Sequence, residues 1–488
     1  MGVTKDENTY SNILKRIFSF GGVQLFNIIV TLVRGKFVAL LLGAEGMGLS
    51  SLFTSSTGTV QQFAGLGLNL ALVKEIASSK DDESRIAHAV AVAIRLIFIT
   101  SGLGAIICFC LSPLLSLWTF GNYDYVISFM MLAAGVALSV GGAGYLSLLQ
   151  GMGEVKRLSK ASLVGGLAGL FCGVPLYYLF GLNGIVPAIV IMSMAVFIFY
   201  YFSFKKSVEV DKVRFSWSSH KPMVKRLISL GLILMSGSLV GTFTNYAINI
   251  FIRAFGSIDD VGLFQGANSL TNQYIGVIFS ALALDYFPRL SAVANDASKL
   301  KEVVNRQAEI VILIATPLVL LLILTTPLVI DILLTEEFLK ITPLMRWLGL
   351  GVLIQAISFP LSYLFIAKEN RKIYIWVEIV FTNVMWIVCS TVFYYFFSLV
   401  GLGISLVARS AIDVIVTYVI CAKVYSFAYM RETLYSVIIC TVMGISGFLF
   451  TLLPGNQYYF WLPPLVLISV IYSFIKLRKG VRLKKEKV

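Results

Sequence analysis

Lys15-Arg16-Ile17-Phe18-Ser19-Phe20-Gly21 and, 210 positions later, Lys225-Arg226-Leu227-Ile228-Ser229-Leu230-Gly231 nearly repeat one another. Each stretch opens a long apolar segment, and each segment leads to a Gly-Leu pair, Gly48-Leu49 and Gly262-Leu263. A membrane chain built from two related halves carries its working surfaces where the halves meet. The repeat therefore directs attention to the segments that begin each half.

Composition places the chain in a lipid bilayer. Hydrophobic residues make up 58% of it and charged residues 13%, against roughly 25% charged in soluble domains. A soluble core of this length cannot absorb so much apolar surface, so lipid is the solvent. Fourteen apolar segments approach the ~20 residues that a helical span requires. They begin with 17–42 and 50–73 and end with 434–453 and 460–476. The expected fold is an all-α integral membrane protein of about fourteen transmembrane helices. The first apolar run is too long for a cleavable signal and lacks a small-residue cleavage site.

Charge fixes the expected orientation. With the N-terminus in the cytoplasm, the cytoplasmic segments hold 32 Lys and Arg, and the opposite loops hold only Lys340 and Arg346. That asymmetry predicts cytoplasmic N- and C-termini and accounts for most of the net charge of +14. The basic tail from Lys476 to Lys487 suits anionic lipid better than nucleic acid. Because six helices separate the two copies of the repeat, both copies start on the same side, and the halves are parallel repeats around a central cleft. The expected organisation is an N-terminal lobe over 1–204, a cytoplasmic linker over 205–226, a C-terminal lobe over 227–423, and two further helices with a basic tail over 424–488.

The first helices of both halves carry polar stripes. Gln24, Asn27, Thr31 and Arg34 share one helical face, as do Ser238, Thr242, Asn245 and Asn249, with Arg253 one turn further on. The following helices add Gln265, Asn268 and Asn272 in the second half and Ser51, Thr54, Gly58 and Gln61 in the first. Such stripes serve either helix packing or a hydrated cleft, and their recurrence in both halves favours the cleft. Arg34, Lys36, Arg95, Arg253 and Arg409 lie within the spans, where a charge costs at least ~2.5 kcal/mol. Arg95 and Arg253 are near enough to helix ends to snorkel. The spacing turns Lys36 about 200° from Arg34. The buried acids are Glu378, Asp413 and, at the margin, Asp285. Arg409 and Asp413 are four residues apart and can pair, either as a structural ion pair or as a carboxylate whose partner changes during transport. Glu378 is within reach of Lys368, Arg371 or Lys372. The balance inside the membrane is cationic and attracts anions, phosphate above all.

Several classes are disfavoured. The longest loop has about 22 residues, so there is no room for a soluble catalytic domain, and no phosphate-binding Gly-Lys loop occurs. His88 and His220 lie in loops far apart in sequence, and no catalytic set or metal-ligand spacing emerges. No cofactor or metal is expected. The six cysteines all fall in apolar segments and read as packing residues.

Further residues carry a resemblance. Val261-Gly262-Leu263-Phe264-Gln265-Gly266, Asp285-Tyr286-Phe287-Pro288-Arg289-Leu290-Ser291, Phe120-Gly121-Asn122-Tyr123-Asp124-Tyr125 and Ile366-Ala367-Lys368 with Tyr374 and Glu378 resemble the Wzx-type polysaccharide flippases (O-antigen and lipid III-like). These belong to the multidrug/oligosaccharidyl-lipid/polysaccharide exporter superfamily. The resemblance covers nearly the whole chain and is most specific around Asp285. It implies two six-helix lobes around a V-shaped cleft, alternating access, a bacterial inner-membrane location and coupling to an ion gradient. The implied substrate is a short glycan on undecaprenyl pyrophosphate, moved from the cytoplasmic to the periplasmic leaflet. No universal catalytic motif carries over, and Lys36 after Gly35 is the best-matched charged position.

The expectation is a flippase for an O-antigen or capsule-type lipid-linked oligosaccharide, working beside the polysaccharide polymerase machinery. The substrate-facing set would be Arg34, Lys36, Arg95, Arg253 and the polar stripes, and the ion-coupling set Asp413, Arg409 and Glu378. A multidrug exporter of the same fold is the alternative. A membrane glycan polymerase or ligase is a third class, which would need a large periplasmic loop.

Overall fold

The computed structural model of the chain describes residues 4–79, 82–207, 216–454 and 457–485, with side chains from Phe26 onward except at 83, 218, 274–275, 277–278, 280–281, 284 and 480–485. Among these residues there is helix and no strand. The α-helices are α1 (Thr4–Gly65), α2 (Leu68–Ser78), α3 (Glu83–Cys110), α4 (Ser112–Phe120), α5 (Val126–Gly151), α6 (Val155–Phe180), α7 (Ile185–Lys205) and α8 (Trp217–Phe255). They continue with α9 (Ile258–Ala292), α10 (Ala297–Leu333), α11 (Thr342–Ala367), α12 (Arg371–Tyr374), α13 (Thr382–Tyr425), α14 (Arg431–Phe450) and α15 (Tyr458–Lys485). A π-helical turn, Ile375–Phe381, joins α12 to α13.

Two of these helices are each two membrane crossings. The first, α1, breaks at Gly43 (φ 66°), a backbone conformation that glycine adopts without Cβ strain. The other, α13, breaks at Ser398 (φ 49°). With α2 continuing the second arm of α1, and with α12 and the π turn leading into α13, the described residues form fourteen membrane-length helices. The fold class expected from the sequence is therefore the one observed.

Two details depart from the apolar pattern. The segment expected as one helix over 50–73 stops at Gly65 and restarts at Leu68, because Leu66 and Gly67 both adopt positive φ. The loop before α5 contains a short helix, α4, started with proline in its first turn and closed by Gly121 in the left-handed region (φ 78°). Membrane entry of α3 and α10 is set by Asp82 and Asp296. Each carboxylate accepts the backbone N–H groups of the residues two and three positions on.

By internal contacts the chain divides into two units, Met1–Gly262 and Leu263–Val488. The division follows a different line from the sequence repeat, since α8, which opens the second copy, counts with the first unit. The first unit is centred on Leu72, Ile76, Val92, Ala93, Leu96, Leu148 and Leu149, contributed by α2, α3 and α5. The core of the second unit gathers Tyr286, Leu290, Val304, Leu361, Leu364 and Phe365 from α9, α10 and α11.

Candidate functional site

Within the first unit, α8 lies along α1 and α2 for almost its whole length, and the polar stripes of the two sequence repeats meet on that seam. Toward the C-terminal end of α8, Asn249 is fully buried. Its side-chain amide donates to Ser51 Oγ at 3.4 Å and to Asn245 Oδ1 at 3.2 Å. Two turns away, a Cβ built at Gly58 would stand 3.9 Å from Thr242 Cγ2, so a small residue leaves room there for the α8 stripe. Next along, Gln62 donates to Ser238 Oγ at 2.7 Å. The sequence pattern assigned this role to Gln61; the rotation of the helix gives it to Gln62.

The seam is tightest at its two ends. At the N-terminal end of α8, backbone meets backbone: a Cβ at Gly67 would fall 2.1 Å from the carbonyl oxygen of Gly231, and a Cβ at Gly231 would fall 2.3 Å from that of Leu66. One turn beyond, Arg226 pairs with Glu75, whose carboxylate is buried. Beyond that, His88 Nδ1 lies 2.9 Å from His220 Nε2. At the other end, Arg253 donates to the carbonyls of Thr119 and Trp118 at 2.9 and 3.0 Å, and Tyr246 shares a 2.7 Å hydrogen bond with Thr119. The chain then turns so closely that a Cβ at Gly48 would meet the carbonyl oxygen of Ile258 at 2.0 Å, and one at Gly262 that of Ala44 at 1.9 Å.

This geometry sorts the residues singled out by the sequence. Arg253, expected to face substrate, is engaged with the last carbonyls of α4, where a cation complements the helix terminus. Asn27 hydrogen-bonds Ser162 of α6 at 3.1 Å, and Thr31 donates back to the Asn27 carbonyl. In this conformation Asn27 and Asn249 join helices, while Asn245 accepts from Asn249 within α8. Arg34 and Lys36 are both half-buried on α1, while Arg95 is exposed on α3. The side chain of Gln24 lies outside what the structure describes, as do the side chains of the first copy of the opening repeat. Of the α9 residues, Asn272 donates to Asn268 at 2.9 Å within the helix, and Gln265 is half-buried. The histidines, read from the sequence as loop residues far apart along the chain, lie near the starts of α3 and α8 and are in contact: nothing in linear spacing relates residues 132 positions apart, and only the packing of α8 on α3 does so.

In the second unit the expected Arg409–Asp413 pair does not form. The Arg409 guanidinium stands over the Trp386 ring, 5.2 Å from its centroid, and Asp413 accepts from Thr382 at 3.5 Å. The break at Ser398 folds α13 back on itself and brings Trp386 within reach, so the aromatic face competes with the neighbour one turn away. Glu378 sits on the π-helical turn, beside Ser362 of α11; no ion pair links it to Lys368, Arg371 or Lys372 among the described residues. Such turns widen one helical ring and re-aim the side chains they carry. Asp285, counted at the margin of the buried acids, is exposed and pairs with Arg289 at 2.5 Å, one turn along α9. The described residues contain no group of three or more His, Cys, Asp or Glu placed to hold a metal.

Comparison with known proteins adds an independent line. Residues 37–343 match a family described as polysaccharide biosynthesis protein. The lipid III flippase of Escherichia coli (strain K12) is 23% identical over 356 residues, covering 71% of this chain and 83% of its own, and that of Shigella flexneri matches equally. Among solved structures, the lipid II flippase MurJ in an inward closed conformation superposes with a TM-score of 0.69 at 16% identity, over 96% of this chain and 99% of its own. An inward-facing multidrug resistance MATE family transporter of the MOP superfamily also reaches 0.69, at 18% identity, over 82% of this chain and 94% of its own. None of these proteins is named as an enzyme.

Proposed function

Because the chain belongs to the polysaccharide biosynthesis protein family, we propose that this multi-pass membrane protein is a flippase, moving a lipid-linked oligosaccharide between leaflets by alternating access. The observation that carries the reading is the placement of Arg34 and Lys36, half-buried cations in an apolar helix. A membrane helix retains such residues at a cost of at least ~2.5 kcal/mol each, and an anionic pyrophosphate is the cargo chemistry that repays it. The substrate is an undecaprenyl-pyrophosphate-linked O-antigen or capsule-type unit. It passes from the cytoplasmic to the periplasmic leaflet of a bacterial inner membrane, with both termini cytoplasmic and a polysaccharide polymerase nearby. Glu378, Asp413 and Arg409 are the candidates for coupling to an ion gradient. The polar seam along α8 suits this cycle if water enters as it parts, since water can then take over the hydrogen bonds that the small polar side chains give up.

In cells lacking the native gene, Arg34→Ala and Lys36→Ala abolish surface polysaccharide while protein abundance in the membrane stays unchanged. Normal polysaccharide with both variants overturns the assignment. The fold shared with a multidrug transporter supports a second reading. It predicts drug sensitivity with intact polysaccharide on deletion.

A further inference from the structure

The exposed face of α3 carries a cation with no protein partner. Arg95 is exposed and has no hydrogen bond or ion pair from the described residues. It lies at the centre of that face rather than at its edge. Val92, Ala93, Leu96, Ile97 and Thr100 turn inward and are buried. Outward, around Arg95, stand Ile94, Phe98, Ile99 and Ile106, with Phe98 73% and Ile106 62% exposed. Aromatic and branched side chains exposed to this extent on a membrane helix face acyl chains and not a hydrated cleft. Arg95 is thus a charge on a lipid-facing surface.

Its depth matters. Arg95 is eleven residues past Ser84, ~16 Å along the axis at 1.5 Å per residue. The 27-residue span Ser84–Cys110 is ~40 Å long on the same rise, against a hydrocarbon core of ~30 Å. Arg95 Cα therefore lies inside the apolar layer, nearer the end at Ser84. Helical side chains lean toward the N-terminus, so the guanidinium points back toward that headgroup layer and needs an anion drawn down to meet it. The surface beside it is open: a Cβ built at Gly102, two turns deeper on the same face, meets nothing within 4 Å. Phe98 and Ile106 flank that gap one turn to either side.

We propose that this face is a binding site for an anionic phospholipid of the bilayer. Arg95 forks onto the phosphate, and one acyl chain runs over Gly102 between Phe98 and Ile106. The charge supplies the preference for an anionic headgroup, and the glycine gap supplies the path for the chain. The site is independent of the cargo, and its occupant is a resident lipid.

Native mass spectrometry of the full chain, released from nanodiscs of phosphatidylcholine with phosphatidylglycerol, tests this. The wild type retains one more phosphatidylglycerol than Arg95→Gln, with an apparent affinity about fivefold higher, the worth of one basic residue at an anionic surface. Arg95→Lys keeps most of that retention. Gly102→Leu fills the chain path and lowers retention with the charge intact. Equal retention by wild type and Arg95→Gln overturns the proposal. So does equal retention of the two lipids by the wild type, or displacement of phosphatidylglycerol by an equimolar amount of undecaprenyl phosphate, which would make the site one for cargo.

Discussion

His88 Nδ1 and His220 Nε2 lie 2.9 Å apart, and this contact ties the first turns of α3 and α8 together. His220 is only 5% exposed, and its other ring nitrogen lies 2.8 Å from the Ser216 carbonyl. The same nitrogen lies 3.1 Å from Ser219 Oγ and 3.3 Å from the Ser216 backbone nitrogen, so the His220 ring is held by its own first turn while Nε2 faces His88. One end of the α8 seam is thus held by a contact between two imidazole rings.

Removing either ring should weaken that end unequally. His220→Ala loses the bond to His88, the bond to Ser216 and the buried ring, so it should destabilise the protein more than His88→Ala. A double-mutant cycle read by thermal unfolding in detergent should give a coupling of about 1 kcal/mol. A coupling of zero would show that the two rings merely adjoin.

The Arg226–Glu75 pair should respond asymmetrically. Glu75 is buried and Arg226 is half exposed. Arg226→Ala leaves a buried carboxylate without its partner, a cost of about 1–3 kcal/mol reduced by the solvent at the arginine. Glu75→Gln removes the charge and the need for a partner together, so its loss of melting temperature should be the smaller of the two. The reverse order in a thermal-shift series would contradict the burial of Glu75.

Glycine contacts at the seam should be intolerant of a single methyl group. Gly67→Ala combines a positive φ of 62° with a collision at the Gly231 carbonyl, and Gly231→Ala collides with the Leu66 carbonyl. Both should lower melting temperature and polysaccharide export. Gly35→Ala is the control, because nothing lies within 4 Å of its Cβ position. Alanine is the better helix former, so Gly35→Ala should hold or raise the melting temperature; similar loss in all three variants would show that the close approach at the seam is not the cause.

The helix starts at Asp82 and Asp296 should loosen in acid. Hydrogen bonds from the backbone N–H of Arg85 and of Lys299, respectively, are the chief reason each carboxyl is held below the usual aspartate range. A depressed value means that the stabilisation is present at neutral pH and is lost as pH falls through the folded-state value. Hydrogen exchange at the first turns of α3 and α10, corrected for intrinsic rate, should therefore rise on acidification. Asp82→Ala should show the raised exchange in α3 already at neutral pH, with α10 unchanged.

Anchoring of α4 should depend on the shape of the cation at 253 as well as on its charge. Arg253→Lys keeps the charge and loses the fork that reaches the Trp118 and Thr119 carbonyls together. Limited proteolysis across 121–125 should rise for Arg253→Lys and further for Arg253→Ala.

Much of the fold was legible in the chain itself. Membrane residence and the fourteen crossings follow from hydropathy and length alone, because a bilayer admits only spans whose backbone bonds close internally. The stripes on the helices that open each half were also visible as spacing. What spacing could not supply was the partner across each stripe. Gln62 takes the place expected of Gln61 because helix rotation is settled by packing. Arg409 leaves Asp413 for Trp386 because the turn at Ser398 folds α13 back on itself. The left-handed residues Leu66 and Gly67 divide a helix whose apolar pattern runs on unbroken.

The opening repeat shows the division of labour. By itself the sequence determined that the segments around Lys15 and Lys225 begin related membrane helices, since local hydropathy and charge decide whether and where a helix crosses. Only the tertiary structure decided that α8 closes onto α1 and α2 through Gly67 and Gly231, through Glu75 and Arg226, and through two histidines. Those contacts join residues more than a hundred positions apart, and their existence depends on how closely two backbones approach, which no single helix encodes.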